Sequence, residues 1–182
     1  MKSIVDMNEA ELSAYVQTHL KEAGIAVVLS GGSAVTIYSE NKYVSKDLDL
    51  VNIYAANRRK IKIAMTELGF QEEGRYFTHP ETNLFIEFPA GPLAIGEEPV
   101  NEIVEREVAT GILRIISPTD CVKDRLSAYY HWNDKQCLVQ AKYVTQTQTV
   151  DLEEVRAWSE REGMLAKFEE IKNELKYIRL EK

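Results

Sequence analysis

Apolar positions along this chain recur at helical spacing first, then as short continuous or alternating runs, then at helical spacing again. Over residues 8–23, Leu12, Tyr15, Val16, His19 and Leu20 repeat at helical intervals, and Gly24 ends the pattern. The apolar run 25–30 predicts a buried strand, 33–38 a short helix, and 47–53 a strand in which acids alternate with aliphatics. Asn57 can cap a helix running to Leu68, where Gly69 stops it. Residues 70–79 and 83–88 read as strands around Pro80, and 103–108 and 112–116 as a hairpin about Thr110-Gly111. Past Ser117 only helices are expected, over 118–132, 134–147, 152–162 and 165–179. Leu165, Phe168, Ile171, Leu175 and Ile178 give the last of these an apolar stripe suited to core packing.

The chemistry is concentrated where the first two strands end and begin. Ser30-Gly31-Gly32-Ser33 closes the first strand, and glycine lets the backbone approach an anion while the next helix presents its N–H groups. Asp47-Leu48-Asp49-Leu50 opens the second strand; its period of two puts both carboxylates on one face and Leu48 on the other. Hard oxygen ligands of this kind suit Mg²⁺ held together with substrate phosphates. Each half has a bland reading, a plain turn and a solvated strand end, so the weight rests on their order and spacing.

That order resembles the nucleotidyltransferase superfamily, the polymerase-beta-like fold. Its pattern is a hydrophobic strand, Gly-Gly or Gly-Ser, about ten intervening residues, then Asp-hydrophobic-Asp-hydrophobic. A third carboxylate on a later strand belongs to the pattern, and Glu87, near the end of Asn83-Leu84-Phe85-Ile86-Glu87-Phe88, is the candidate; Phe85 shares its side, as in a half-covered cleft. Ile116-Ser117-Pro118-Thr119-Asp120 looks like the Ser-Pro-x-Asp helix start of stand-alone bacterial nucleotidyltransferases, including relatives of the abortive-infection and toxin–antitoxin transferases. Arg125 and Asp134 match recurring positions of that segment.

The resemblance implies an α+β chain: a nucleotidyltransferase-fold core at 1–116 with a small mixed β-sheet and flanking helices, then a C-terminal helical bundle at 117–182 packed on it. It implies Asp47, Asp49 and Glu87 as catalytic and metal-binding residues, with Mg²⁺ or Mn²⁺ as cofactor and a nucleoside triphosphate, ATP among them, as substrate. Gly31, Gly32 and Ser33 hold phosphates in this reading, and Lys46 or Arg125 neutralises leaving-group charge. The acceptor stays open between a tRNA end, a protein hydroxyl and a small molecule. A second class also fits, a catalytically weak protein of the same fold that works by binding, as an antitoxin or regulatory partner.

Composition narrows the partners. With 29 acids against 22 bases the net charge is −7, which disfavours tight binding of duplex DNA. The basic group Arg58-Arg59-Lys60-Lys62 falls on an expected helix, where a solvated face is the commoner explanation. No apolar run approaches the ~20 residues of a membrane helix, and the polar start lacks the pattern of a signal peptide, so a cytoplasmic location away from membranes is expected. Cys121 and Cys137 are too few and too far apart to read as a disulfide framework. His19, His79 and His131 have no zinc spacing, and the P-loop, dinucleotide and Gly-x-Ser-x-Gly patterns are absent.

Overall fold

The computed structural model describes residues 2–54, 56–100 and 102–176; the end of the last expected helix, with Ile178, lies outside them. In chain order the elements are α1 (Glu9–Glu22), β1 (Val27–Ser30), α2 (Gly31–Tyr38), β2 (Asp47–Asn52), α3 (Arg58–Glu67), β3 (Gln71–Glu73), β4 (Tyr76–Thr78) and β5 (Phe85–Glu87). There follow β6 (Ala94–Ile95), β7 (Glu98–Pro99), β8 (Ile103–Val108), β9 (Gly111–Ile116), α4 (Pro118–Trp132), α5 (Lys135–Thr147), α6 (Leu152–Arg161) and α7 (Leu165–Leu175).

Local chemistry sets several boundaries. Asn8 and Glu11 form a reciprocal capping box at the start of α1, the Glu11 N–H donating to Asn8 Oδ1 at 2.9 Å and the Asn8 N–H to Glu11 Oε2 at 3.0 Å. Ser117 accepts from the Asp120 N–H at 3.1 Å with Pro118 in the first helical turn, and Asn133, in the left-handed region at φ 53°, ends α4. The stretch 70–79, expected as one strand, is a hairpin: Glu73 pairs with Tyr76, and Gly74 takes φ 63° in the two-residue turn that side chains disfavour. The short pair β6 and β7 was not expected either, because two-residue strands carry no readable period.

Seven strands make a mixed sheet in the order β3-β4-β5-β2-β1-β9-β8. The central β2 runs antiparallel to β1 and parallel to β5, and β1 runs parallel to β9. Leu29, Leu48, Leu50, Ile86 and Phe77 are fully buried in the hydrophobic core, to which α1 and α3 also contribute. Burying aliphatic side chains such as Leu48 and Leu50 contributes roughly 1.5–3 kcal/mol each, so a one-residue slip of β2, which would bury its acids instead, is strongly opposed. Gln17 ties α1 to β9 as a second strand would, its amide donating to the Arg114 carbonyl at 2.8 Å and accepting from the Arg114 N–H at 2.7 Å. Helix α4 packs against α2, α5 and α6, with α7 on α5 and α6. Cys121 and Cys137 are free and buried. No helix among the described residues is long and apolar enough to cross a membrane.

Candidate active site

The site grows from the alternation of β2. With Leu48 and Leu50 fixed in the core, Asp47 and Asp49 are half-buried on the opposite face. Parallel pairing places Asp49 level with Glu87 and Asp47 level with Phe85, and residues level with one another in a sheet share a face. Glu87 therefore stands beside Asp49 on the same side of the sheet, with Ile86 turned into the core. On its other flank Asp49 is level with Ser30, the last residue before α2.

Helix α2 begins at Gly31 itself rather than at Ser33, so both glycines belong to its first turn. Gly31 is required twice over. It sits at φ 66°, which side chains disfavour, and a Cβ there would overlap the Asp49 carboxylate. Gly32 packs closely on the following loop, where a Cβ would stand 3.0 Å from Ser45 Oγ. Ser30 at the N-cap makes no side-chain capping bond, so the first N–H groups of α2 carry their positive partial charge toward the acids without a side-chain acceptor. Ser33 is fully buried and its hydroxyl donates to the Asp47 carbonyl, fixing the start of β2; it meets an anion only through its backbone N–H.

Four of these residues, Ser30, Gly31, Asp49 and Glu87, border a cleft of about 290 Å³. Its floor includes Ser30, Gly31, Asp49 and Glu87, one wall is the segment from Pro89 to Ile95, and Asp124 and Arg125 of α4 face it from the other side. The wall is tied down at several points. Ile95 is buried, the Glu97 N–H donates to Glu162 Oε1 at 2.9 Å, Arg161 pairs with Glu98, and Gly91 lies so close to the Asn52 carbonyl that a Cβ would overlap it. Lys46 is exposed and is not part of the cleft lining. Asp134 caps α5, accepting from the Gln136 N–H at 2.9 Å and the Cys137 N–H at 3.2 Å.

The electrostatics are unbalanced. The Asp49 carboxyl is pushed up to about 6, mainly by burial, with the charges of Glu87, Asp47 and Asp124 adding to the push while Arg125 opposes it. Arg125 is itself engaged, pairing with Asp124 and donating from Nη1 to Gln140 Oε1 at 3.3 Å. Glu87 has an ion pair with the exposed Arg75, 3.5 Å from Arg75 Nε to Oε2. Arg75 was not singled out by the sequence, since it does not stand in a spacing that separates it from ordinary surface charge. Among the described residues no three His, Cys, Asp or Glu side chains converge into a ready-made metal cage. The donor set still suits Mg²⁺ or Mn²⁺: two carboxylates one pleat apart with a third beside them, short of positive charge, match ions that take one or two carboxylates and complete their shell with substrate phosphates.

Neither a family model nor a curated protein matches the chain. Solved structures do. The crystal structure of an antigenic nucleotidyltransferase-like protein from Paracoccidioides brasiliensis aligns with a TM-score of 0.56 and 14% identity, covering 92% of this chain and 91% of that one. The crystal structure of ANT(2")-Ia in complex with adenylyl-2"-tobramycin aligns with a TM-score of 0.50 and 16% identity, covering 86% of this chain and 94% of that one. Likeness at such identities concerns architecture, and the architecture of this chain is the nucleotidyltransferase fold.

Proposed function

We propose that this chain is a metal-dependent nucleotidyltransferase, moving a nucleoside monophosphate from a nucleoside triphosphate to an acceptor hydroxyl with release of pyrophosphate. The observation that carries this reading is the position of Asp49, level with Glu87 on one strand and Ser30 on the other, against a glycine that leaves room for its carboxylate. Asp47 and Asp49, with Glu87 adjoining, would hold Mg²⁺ or Mn²⁺. When bound, the cation supplies positive charge to the phosphates and to the attacking oxygen.

The N–H groups of Gly31, Gly32 and Ser33 at the start of α2 receive phosphate oxygens. Arg125, held toward the cleft by Asp124 and Gln140, offsets negative charge there, and the wall from Pro89 to Ile95 limits access of water. Lys46, outside the cleft lining, reaches leaving-group phosphate only from the solvent side. In the transfer a bond forms from the acceptor oxygen to the α-phosphorus, and the bond to the α–β bridging oxygen breaks. Pyrophosphate leaves with that electron pair, and the hydroxyl proton passes to solvent. The crystallisation of ANT(2")-Ia with adenylyl-2"-tobramycin supports the same class of reaction.

Incubating the protein with α-labelled nucleoside triphosphates, a divalent cation and cell extract tests the reading. Label should enter an RNA, protein or small-molecule product only with the cation present, and Asp47→Asn and Asp49→Asn should abolish it; incorporation that survives both substitutions contradicts it.

One observation favours a second reading, a protein of this fold that binds without efficient transfer: Glu87 is already paired with Arg75, and Arg125 with Asp124. That protein would bind triphosphate equally with and without the cation.

A further inference from the structure

Strands β1 and β9 run parallel but pair at a single position, Leu29 with Ile115. Toward their starts they part around Gln17, whose amide takes both the N–H and the C=O of Arg114, the groups a continued ladder would use. Main-chain groups alternate in direction along a strand, so the N–H and C=O of Ile112 face the resulting gap as those of Arg114 do. From the other side, the Ile53 N–H donates to the Ala26 carbonyl at 3.0 Å, which turns Ala26 toward β2 and the N–H and C=O of Val27 toward β9. Among the described residues neither Val27 nor Ile112 has a strand partner across the gap, so both rows of polar groups stay open. The gap has a volume of about 250 Å³, room for about eight waters, and Lys21, Glu105 and Arg114 are among the residues that line it.

We propose that this gap binds the C-terminal end of an extended peptide from a partner protein. Facing rows of open main-chain donors and acceptors are the complement of a third main chain, laid parallel to both strands. Ahead the gap is closed by the pairing of Leu29 with Ile115 and by Gln17, so a chain laid along the strands must end there. Arg114 stands at that closed end, its Nε buried and without a hydrogen bond, 3.4 Å from Oε1 of the mostly exposed Glu105. Two cations in the lining against one acid select a terminal carboxylate over a terminal ammonium. Ile25, Ala26 and Ile112 supply apolar surface for small aliphatic side chains. None of these residues belongs to the cleft around Asp49, so the site stands independently of the transferase reading.

Titration of the ¹⁵N-labelled protein, without triphosphate or cation, with N-acetyl-alanyl-valine, its C-terminal amide and acetate tests this through amide shifts and hydrogen exchange. The acid should bind saturably, shift the Val27 and Ile112 amides most and slow their exchange, with an affinity at least about ten-fold above that of the amide form. Arg114→Gln should weaken it about ten-fold, and Lys21→Gln, at an exposed position where folding is not at stake, about three-fold. Equal binding of acid and amide, acetate binding as tightly as the peptide, shifts centred away from the gap, no saturable binding, or an unchanged affinity in Lys21→Gln would overturn the proposal.

Discussion

Two groups of charges sit at the interface of the sheet and the helical half, and they are built on opposite terms. Around buried Lys123, Asp120 lies at 3.5 Å and Glu154 at 2.8 Å, and Arg161 continues the chain to Glu154 at 3.0 Å and to Glu98. Each acid there faces a cation, and hydrogen bonds from Lys123 and Arg161 hold Glu154 and Glu98 below the usual carboxylate range. Asp49, Glu87 and Asp124 border the cleft with Arg125, which pairs with Asp124, while Arg75 pairs with Glu87 from the exposed side, and Asp49 is pushed up rather than down. The balanced group fastens the wall of the cleft to α6, while the unbalanced one is suited to a cation brought from outside.

Substitutions break the comparison at different strengths. The largest effect belongs to Asp49→Asn, which should lower the transfer rate at least about a hundred-fold, some 2.7 kcal/mol of barrier, measured as labelled product under saturating triphosphate. Next comes Lys123→Met, which leaves Asp120 without its cation and Glu154 with Arg161 alone, and should cost about 2 kcal/mol in urea unfolding.

The same Asp49→Asn change should then do the reverse to stability. In the unfolded chain this carboxyl titrates near 3.8 and in the folded protein at about 6, so the folded state holds the extra proton between those values and stability falls as pH rises through them. Removing the charge should stabilise the cation-free protein by about 1–2 kcal/mol above pH 6, an amount reduced for the part of the group still open to solvent, and the gain should vanish near pH 4. Smallest is Glu98→Gln at the outer end of the balanced chain. It should lower Tm by less than Lys123→Met does, because the pair with Arg161 is largely solvated.

What the sequence disclosed follows from where local rules dominate. The alternation in Asp47-Leu48-Asp49-Leu50 and in Phe85-Ile86-Glu87 is a property of the strand itself, so the acid face was legible before any pairing was known. That Asp49 and Glu87 stand level depends on the register of strands 38 residues apart in the chain, which the pattern alone does not contain. The Ser117 cap and the start of α4 were equally local. Three features were not. The wall from Pro89 to Ile95 has no period; the cost of a side chain at Gly31 comes from Asp49, a distant residue; and Ser33 uses its hydroxyl on the Asp47 carbonyl, a contact only the folded chain creates. The helical half was visible as helices, but the orientation of Arg125 toward the cleft depends on Asp124 and Gln140.

Isothermal titration of the metal-free protein with nucleoside triphosphate, with and without Mg²⁺, bears most directly on the claim that the acid face grips a cation together with phosphates. Binding should be strengthened at least about ten-fold by Mg²⁺, some 1.4 kcal/mol, in the wild type, and that dependence should disappear in Asp49→Asn. Equal affinity with and without the cation, or a variant that keeps the full Mg²⁺ dependence, would contradict it.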